Sequence, residues 1–241
     1  MRARRRRAAR VLVGTVAALA VAAPPAAAVP TVRQLVVQRD GHARQAKVKA
    51  DRTHAKVGGR TCTVPSGTAL AALLLSDVPK VRLHDYGSCS SRAQDAGGLF
   101  VRSIDGDDNK GSDGWVYKVD NKVATAGAAD PSGPFGNGRL DGGARVTWFY
   151  CHLSAANHSC QRTLGIAVTK NADKTLHVHV TAYDDRGHGK PAAGATVHAG
   201  AATATTNASG DANIAPAPGR RRVFAAKPGA IRSFAKEVTV G

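Results

Sequence analysis

Short segments in which apolar and polar side chains alternate recur along most of this chain, and they restrict its fold more than any other feature. Leu176, Val178 and Val180, for example, alternate with polar residues. Because successive side chains of a strand point to opposite faces, this spacing predicts strands with one buried face. The 26 Gly and 11 Pro residues of the chain supply turns between such strands. We therefore predict a mainly β protein with one short helix.

The first 28 residues predict a secretory signal peptide. Residues 1–10 hold six Arg and no acidic residue, residues 11–23 are apolar, and small residues follow up to Ala28. This order is typical of a leader that is removed on export, and the apolar run is short for a membrane span. An uncleaved anchor is the alternative, and the general secretory and twin-arginine routes both remain open. We expect a bacterial protein that is secreted or held in the cell envelope, with no transmembrane segment in its mature form.

All four cysteines follow this leader, and their even number in an exported chain favours two disulfide bonds. We prefer the pairs Cys62–Cys89 and Cys151–Cys160, because each bond then joins cysteines that are neighbours in sequence. A zinc site is the competing interpretation, but the sequence contains no Cys-x-x-Cys pair. We therefore predict that no thiol is free to act as a nucleophile.

Residues 29–163 show the pattern of a small sheet with one helix. Residues 32–51 predict a hairpin, and residues 66–75 predict a helix with one leucine-rich face. A loop rich in Gly covers residues 124–143, and loops of this length are typically functional or loosely ordered. The further predicted strands lie at residues 81–86, 99–104, 114–119 and 145–151.

The order of these segments resembles the transcobalamin C-terminal-like family of β-grasp domains over residues 61–151. The leucine-rich helix, the run Gly-Trp-Val-Tyr-Lys-Val-Asp ending at Asp120 and the closing Val-Thr-Trp-Phe-Tyr ending at Tyr150 carry the resemblance. The family implies a small sheet crossed by one helix, which in transcobalamins covers a bound corrin. This chain lacks the large helical domain that supplies most of the cobalamin pocket in those proteins. We therefore expect the fold of the family and no cofactor.

Residues 164–241 predict a small β-sandwich, because short strands recur there at regular spacing. This part resembles the carboxypeptidase regulatory-like and prealbumin-like Ig modules of bacteria. The resemblance rests mostly on turn residues, namely Pro191, Gly194-Ala195-x-Val197 and Thr206-Asn207-x-x-Gly210-x-Ala212. It implies a fold and no particular activity. We place the boundary between the two parts at residues 160–164.

The chain carries a formal net charge of +17, of which +11 remains after the six leader arginines are removed. A charge of this size attracts polyanions over a long range. We therefore expect an anionic cell-wall polymer, a lipid head group or a small-molecule ligand as partner. Nucleic acid is not expected, because the chain is exported and its basic residues are scattered. The alternative explanation is that the positive charge serves only to keep the protein soluble. We expect the protein to be a monomer.

Four aromatic residues are the candidate ligand-binding residues: Trp115, Tyr117, Trp148 and Tyr150. Each pair is spaced by two along one predicted strand, so its two rings share a face. Together the rings could form a platform for a flat ligand or a sugar, with residues 127–138 as a flexible rim. The alternative is that the four rings form the core of the small sheet.

Two sets of polar residues have the spacing of a metal site. The acidic turn from Asp105 to Asn109 resembles part of a calcium loop, but it lacks the Gly and the bidentate Glu of the helix-loop-helix pattern. His177 and His179 share a strand face and could chelate a transition metal. The alternative in each case is an ordinary polar surface, and we predict no metal site.

The sequence contains no set of residues typical of a catalytic site. Ser233 and Lys236 have the spacing of a penicillin-binding motif whose companion motifs are absent, and Glu237 is the only Glu. We therefore expect a non-catalytic binding protein in which the β-grasp part holds the ligand and the sandwich is a spacer. A structural surface or adhesion component without a discrete ligand is the first alternative. A hydrolase whose Asp, Ser and His residues meet only in the fold is the second.

Overall fold

Strands dominate the computed structural model, which describes residues 28–241. The predicted signal peptide, residues 1–28, lies outside the described residues except for its last residue. The helices of the described part are the α-helix Ala69–Leu74 (α1) and the 3-10 helix Ala93–Gly98. The strands are β1 (Thr31–Val37), β2 (Ala43–Lys49), β3 (Thr53–Val57), β4 (Arg60–Val64), β5 (Arg82–Asp85), β6 (Leu99–Ile104), β7 (Asp107–Asp108), β8 (Gly114–Val119), β9 (Lys122–Val123), β10 (Arg145–Cys151), β11 (Thr163–Lys170), β12 (Leu176–Tyr183), β13 (Gly189–Pro191), β14 (Thr196–Ala199), β15 (Ala202–Thr205), β16 (Asp211–Ile214), β17 (Gly219–Ala226) and β18 (Lys236–Val240). The predicted mainly β fold class is confirmed. Within residues 28–241, no helix combines the length and the apolar character needed to cross a membrane.

The first part is built around a five-stranded sheet in the order β2-β1-β10-β8-β9. β1 and β10 run parallel at its centre, and the other neighbours are antiparallel. Helix α1 begins after Thr68, whose hydroxyl accepts a hydrogen bond from the N–H of Ala71, and its residues 69–73 are buried. A hairpin, a helix and a central strand parallel to β1 form the β-grasp-like arrangement that the sequence predicts.

Several elements of this part have no counterpart in the predicted order, namely the hairpin β3–β4, the 3-10 helix and the two-residue strands β7 and β9. The hairpin β3–β4 turns at Gly58 and Gly59, whose φ angles of 55° and 79° are those of a tight two-residue turn. The 3-10 helix buries only Ala96. A Gly-Gly turn between alternating segments is a signal visible in the sequence, whereas a single buried alanine produces no periodicity.

The second part consists of two sheets that face each other across a shared core. One sheet has the order β11-β12-β13 with β16 also paired to β12, and the other has the order β15-β14-β17-β18. Buried residues of both sheets form one cluster that includes Leu176, Val178, Val180, Val197 and Val223. The alternating residues of β12 therefore have the buried face predicted for them, and the predicted sandwich architecture is confirmed.

The five-stranded sheet is covered on both faces. On the face toward α1, which we call the helix face, Trp148 and Tyr150 of β10 belong to the core of the first part. On the opposite face, which we call the sandwich face, Phe149 and Cys151 pack with Ile231 of the second part. The second part is therefore more than a neighbour in sequence, because it buries one side of the central sheet.

Both predicted disulfide bonds are present, and each joins Cα atoms that are 5.2 Å apart. Cys62–Cys89 lies in the core on the helix face, and Cys151–Cys160 lies at the sandwich face. The two bonds use all four cysteines, so none is free.

Candidate aromatic binding site

The four candidate aromatic residues meet on the helix face of the sheet. β8 and β10 are antiparallel neighbours, and their register places Tyr117 opposite Trp148 and Trp115 opposite Tyr150. The rings of Tyr117 and Trp148 stack with centroids 5.0 Å apart, and those of Trp115 and Tyr150 meet edge to face at 6.0 Å. The structure thus brings together the residues that the sequence grouped.

These four rings are buried, with exposed fractions between 2% and 7%. They pack into the same core as α1 and the disulfide Cys62–Cys89. The rings thus form the core of the first part, which is the alternative that the sequence left open, and they do not form an open platform. A ligand can reach them only through a cavity.

Such a cavity lies against three of the four rings, those of Trp115, Tyr117 and Trp148, and has a volume of about 200 Å³. Its other walls are apolar and come from β6, β8 and the start of the long loop, namely Leu99, Phe100, Val101, Val116, Ala124, Ala126, Gly127 and Ala128. Phe100 is 42% exposed, and its ring lies 5.9 Å from that of Tyr86, which is 76% exposed. One exposed ring therefore lines the cavity, and a second exposed ring lies next to it.

One polar side-chain atom of the cavity-lining residues has no hydrogen-bond partner in the described part of the chain. The indole N–H of Trp115 donates to the Asp107 carbonyl at 2.7 Å, and the Tyr117 hydroxyl donates to the Ala126 carbonyl at 2.9 Å. The Nε1 atom of Trp148 is buried and forms no hydrogen bond within the described chain. Burial raises the pKa of Tyr117 above its usual value near 10, so its hydroxyl stays protonated. The site can therefore offer hydrogen bonds but no charge.

The long loop at residues 124–143 is held in place by its own contacts. The N–H groups of Thr125 and Ala126 both donate to the Pro134 carbonyl, and Leu140 is buried. Gly133 has a φ of +86°, and a Cβ there would lie 1.5 Å from the Gly138 carbonyl oxygen, so only glycine fits. Of the predicted rim, residues 127–138, Gly127 and Ala128 line the cavity.

The acidic turn at residues 105–109 supports the aromatic site. Asp105 accepts a hydrogen bond from the side chain of Gln38, and Asn109 accepts one from the backbone N–H of Trp115. Asp108 pairs with Arg82 at 2.5 Å. Within residues 28–241, no three His, Cys, Asp or Glu side chains are arranged to hold a metal ion.

The residues of the two remaining sequence motifs, the histidine pair and the Ser-x-x-Lys run, form contacts with other residues of the second part. His177 and His179 both approach Asp211, at 3.4 Å and 2.8 Å, on the outer surface of the sandwich. The Ser233 hydroxyl is buried, accepts a hydrogen bond from the Ala225 N–H and donates to the Phe234 carbonyl. The Ser-x-x-Lys spacing thus places its serine in a loop contact.

Two notable cations are absent from the sequence-based candidates. Lys118 is fully buried on the sandwich face, where its ammonium pairs with Asp185 at 3.1 Å and donates to the Asp184 carbonyl at 3.0 Å. Arg232 lines a second cavity, and the buried Nε and Nη2 atoms of its guanidinium form no hydrogen bond within residues 28–241. The alternation of β8 places Lys118 opposite the aromatic face, but it contains no signal for what covers that side.

Residues 82–150 match a family model described as a Domain of unknown function (DUF4430). The family behind this model is itself transcobalamin-like, and the match lies inside residues 61–151, over which that resemblance is predicted. It begins at β5 and ends in β10, so it includes all four candidate aromatic residues. No curated protein and no solved structure matches the chain. The Ig or prealbumin-like identity of residues 164–241 therefore stays a prediction.

Proposed function

We propose that this chain is an exported, non-catalytic binding protein that holds one ring of a small ligand in the aromatic cavity. The observation that carries the proposal is the buried Trp148 N–H, which has no partner and belongs to a residue that lines the cavity. An unpaired buried donor costs free energy, and an acceptor atom on a ligand would recover it. Apolar walls with a single polar contact are typical of small-molecule sites.

The size of the cavity limits the ligand to a single ring or to the end of a larger molecule. Its volume of about 200 Å³ is smaller than the range of about 300–1,000 Å³ that is typical for drug-sized ligands. The exposed rings of Phe100 and Tyr86 offer a surface on which the rest of a longer ligand can lie. An aromatic or sugar ring with an acceptor oxygen fits this arrangement.

Export is supported by the predicted leader and by the use of every cysteine in a disulfide bond. Such bonds persist in oxidising compartments and are rare in the cytosol. Mass spectrometry of the protein from its natural source should find residues 1–28 removed and the four thiols oxidised. An intact leader or four reduced thiols would refute the export part of the proposal.

Tryptophan fluorescence tests the binding part directly, because Trp115 and Trp148 are the only two tryptophans and both line the cavity. Benzyl alcohol and N-acetylglucosamine serve as probes for an aromatic and a sugar ring. We expect one of the two to cause a saturable change in emission, which also identifies the class of ring.

Two phenylalanine variants provide the matched control. Ala126→Phe should fill the cavity and abolish the response, because Ala126 lines it. Thr125→Phe adds the same ring at the exposed neighbouring residue and should respond as wild type. If neither probe changes the emission, or if both variants respond alike, the structural component without a discrete ligand becomes the better account.

A further inference from the structure

A second cavity, on the sandwich face, is lined by an arginine with two guanidinium nitrogen atoms that have no hydrogen-bond partner in the described part of the chain. Arg232 lies in the connection between β17 and β18. The Nε and Nη2 atoms of its guanidinium are buried and form no hydrogen bond with any residue of the described chain. Burial and the nearby Arg222 lower the pKa of Arg232, and no carboxylate acts in the opposite direction. Arg232 as a whole is half-buried, but two hydrogen-bond donors that are buried without an acceptor cost free energy.

The two unpartnered atoms are the ones that recognise oxyanions. Nε–H and one N–H of Nη2 lie on the same edge of a guanidinium and point in parallel. This edge can donate two hydrogen bonds to two oxygens of one phosphate or carboxylate group. In Arg232 both donors of the edge are unused.

The guanidinium is held in place by aromatic contacts. Its Cζ atom lies 3.7 Å from the ring centroid of Phe224, a distance at which the cation is attracted by the ring. The ring of Phe224 in turn stacks on that of His198 at 4.7 Å. Because these contacts fix the orientation of Arg232, less side-chain entropy is lost when an anion binds.

The cavity around Arg232 has a volume of about 420 Å³, and none of its lining residues is acidic. Val37 and Gly41 of the first part close one side, so the cavity needs both parts of the protein. Lys227 supplies a second positive charge. The remaining lining residues are Thr196, His198, Phe224, Ala226, Pro228 and Ala230.

We propose that this cavity binds the phosphate group of a small phosphate ester, with Nε and Nη2 of Arg232 as the two donors. A phosphate suits the site better than a carboxylate, because Lys227 and Arg222 add positive charge that a dianion can use. The cavity is larger than a phosphate group requires, and the organic part of the ester has Phe224 and Pro228 to lie against. This site is independent of the aromatic cavity, which lies on the other face of the sheet.

Calorimetric titration of the full mature chain with glycerol 3-phosphate, at fixed ionic strength, tests the site. Arg232→Lys keeps the charge but loses the two-donor edge, and we expect affinity to fall by about tenfold or more. Arg220→Lys is the matched control, because Arg220 is exposed and paired with Glu237 at 3.1 Å, and its affinity should not change. An equal loss in both variants, or no binding to wild type, would overturn the proposal.

Thermal unfolding of Arg232→Met separates a binding role from a structural one. Without phosphate this variant should melt at a higher temperature than wild type, because it removes two buried donors that have no acceptor. With glycerol 3-phosphate only wild type should gain stability. A variant that melts lower than wild type in both conditions would show that Arg232 stabilises the fold and would contradict the site.

Vesicles distinguish the two sources of a phosphate ester. Co-sedimentation with phosphatidylglycerol vesicles that is lost in Arg232→Lys but kept in Arg220→Lys would identify the ester as a lipid head group. Binding of glycerol 3-phosphate without such sedimentation would identify a free or polymer-borne ester. If neither probe binds in an Arg232-dependent way, the proposal is wrong.

Discussion

Trp148 and Phe149 are neighbours in β10, yet they help to bury opposite faces of the same sheet by different means. Trp148 packs among residues of the first part alone, including α1, and the polar atoms of Trp115 and Tyr117 bond to backbone groups nearby in sequence. Phe149 is covered by residues of the second part, such as Ile231. The helix face is therefore buried by residues of the first part alone, whereas the sandwich face is buried by residues of the second part.

Polar contacts show the same difference. On the sandwich face, the buried ammonium of Lys118 is paired with Asp185, and Gln45 exchanges two hydrogen bonds with the backbone of Ala235. These partners come from the second part. A sheet that buries a lysine on one face thus relies on a distant segment to satisfy it.

The largest loss of stability should come from removing the ring of Trp148 or that of Phe149. Trp148→Ala and Phe149→Ala should each lower the free energy of unfolding by about 4 kcal/mol, because each empties a packed core. Hydrogen exchange should separate them: Phe149→Ala should speed exchange at residues 231–235, and Trp148→Ala should speed exchange in α1. The same pattern of lost protection in both variants would contradict the division into two faces.

Removing the disulfide bonds should cause the next largest loss of stability. The loss should differ between the bond on the helix face and the bond at the sandwich face. Replacing Cys62 and Cys89 by serine should cost about 3.5 kcal/mol, and replacing Cys151 and Cys160 about 2.5 kcal/mol, because the first bond closes the longer loop. The separations are 27 and 9 residues. Urea unfolding measures both, and a larger loss at the shorter loop would show that packing at the sandwich face outweighs loop entropy.

Removing Asp185 from the buried ion pair should destabilise the protein more than removing Lys118. The Lys118 side chain is 0% exposed and that of Asp185 is 26% exposed. Asp185→Asn leaves a buried ammonium without its counter-charge and should cost about 3 kcal/mol. Lys118→Met leaves a carboxylate that is partly exposed and still accepts a hydrogen bond from the Cys160 N–H, so it should cost less. Denaturant unfolding of both variants tests this, and a greater loss in Lys118→Met would refute it.

The smallest effect should come from the Tyr117 hydroxyl. Tyr117→Phe removes one hydrogen bond to the Ala126 carbonyl and should cost about 1 kcal/mol at neutral pH. An unchanged stability in denaturant unfolding would show that the Ala126 carbonyl finds another donor.

Alkaline pH should distinguish the two faces, because the buried Tyr117 on one face and the buried Lys118 on the other change the stability with pH in opposite directions. Burial raises the pKa of Tyr117, so above pH 10 the folded chain keeps a proton that the unfolded chain loses, and stability falls as pH rises. Burial lowers the pKa of Lys118 below 10.5 despite its pairing with Asp185. Between that lowered pKa and 10.5 the unfolded chain binds more protons, so this residue makes stability rise with pH.

Unfolding curves from pH 8 to 11 measure these two slopes. Tyr117→Phe should lose the decrease in stability above pH 10, and Lys118→Met should lose the increase below it. Variants with the same pH dependence as wild type would show that neither group titrates differently in the folded chain.

Much of the fold could be predicted because it follows from local spacing. The alternation around Trp115 and Trp148 predicted both strands and the shared face of their rings, and the sequence neighbours Cys151 and Cys160 predicted their bond. The 3-10 helix around Ala96 could not be predicted, because one buried residue has no period. The cavity beside the rings could not be predicted either, since it depends on how residues 124–128 fold back onto β6 and β8.

By itself, the sequence determined most of the strands, the preferred pairing of the cysteines and which aromatic rings lie together, because period-two spacing and short separations act within a segment. Only the tertiary structure decided what covers the second face of the sheet, where Lys118 finds its carboxylate and why Arg232 has none. The alternation of side chains along a strand predicts its two faces. The residues that bury each face and pair with its polar groups come from segments that are distant along the chain.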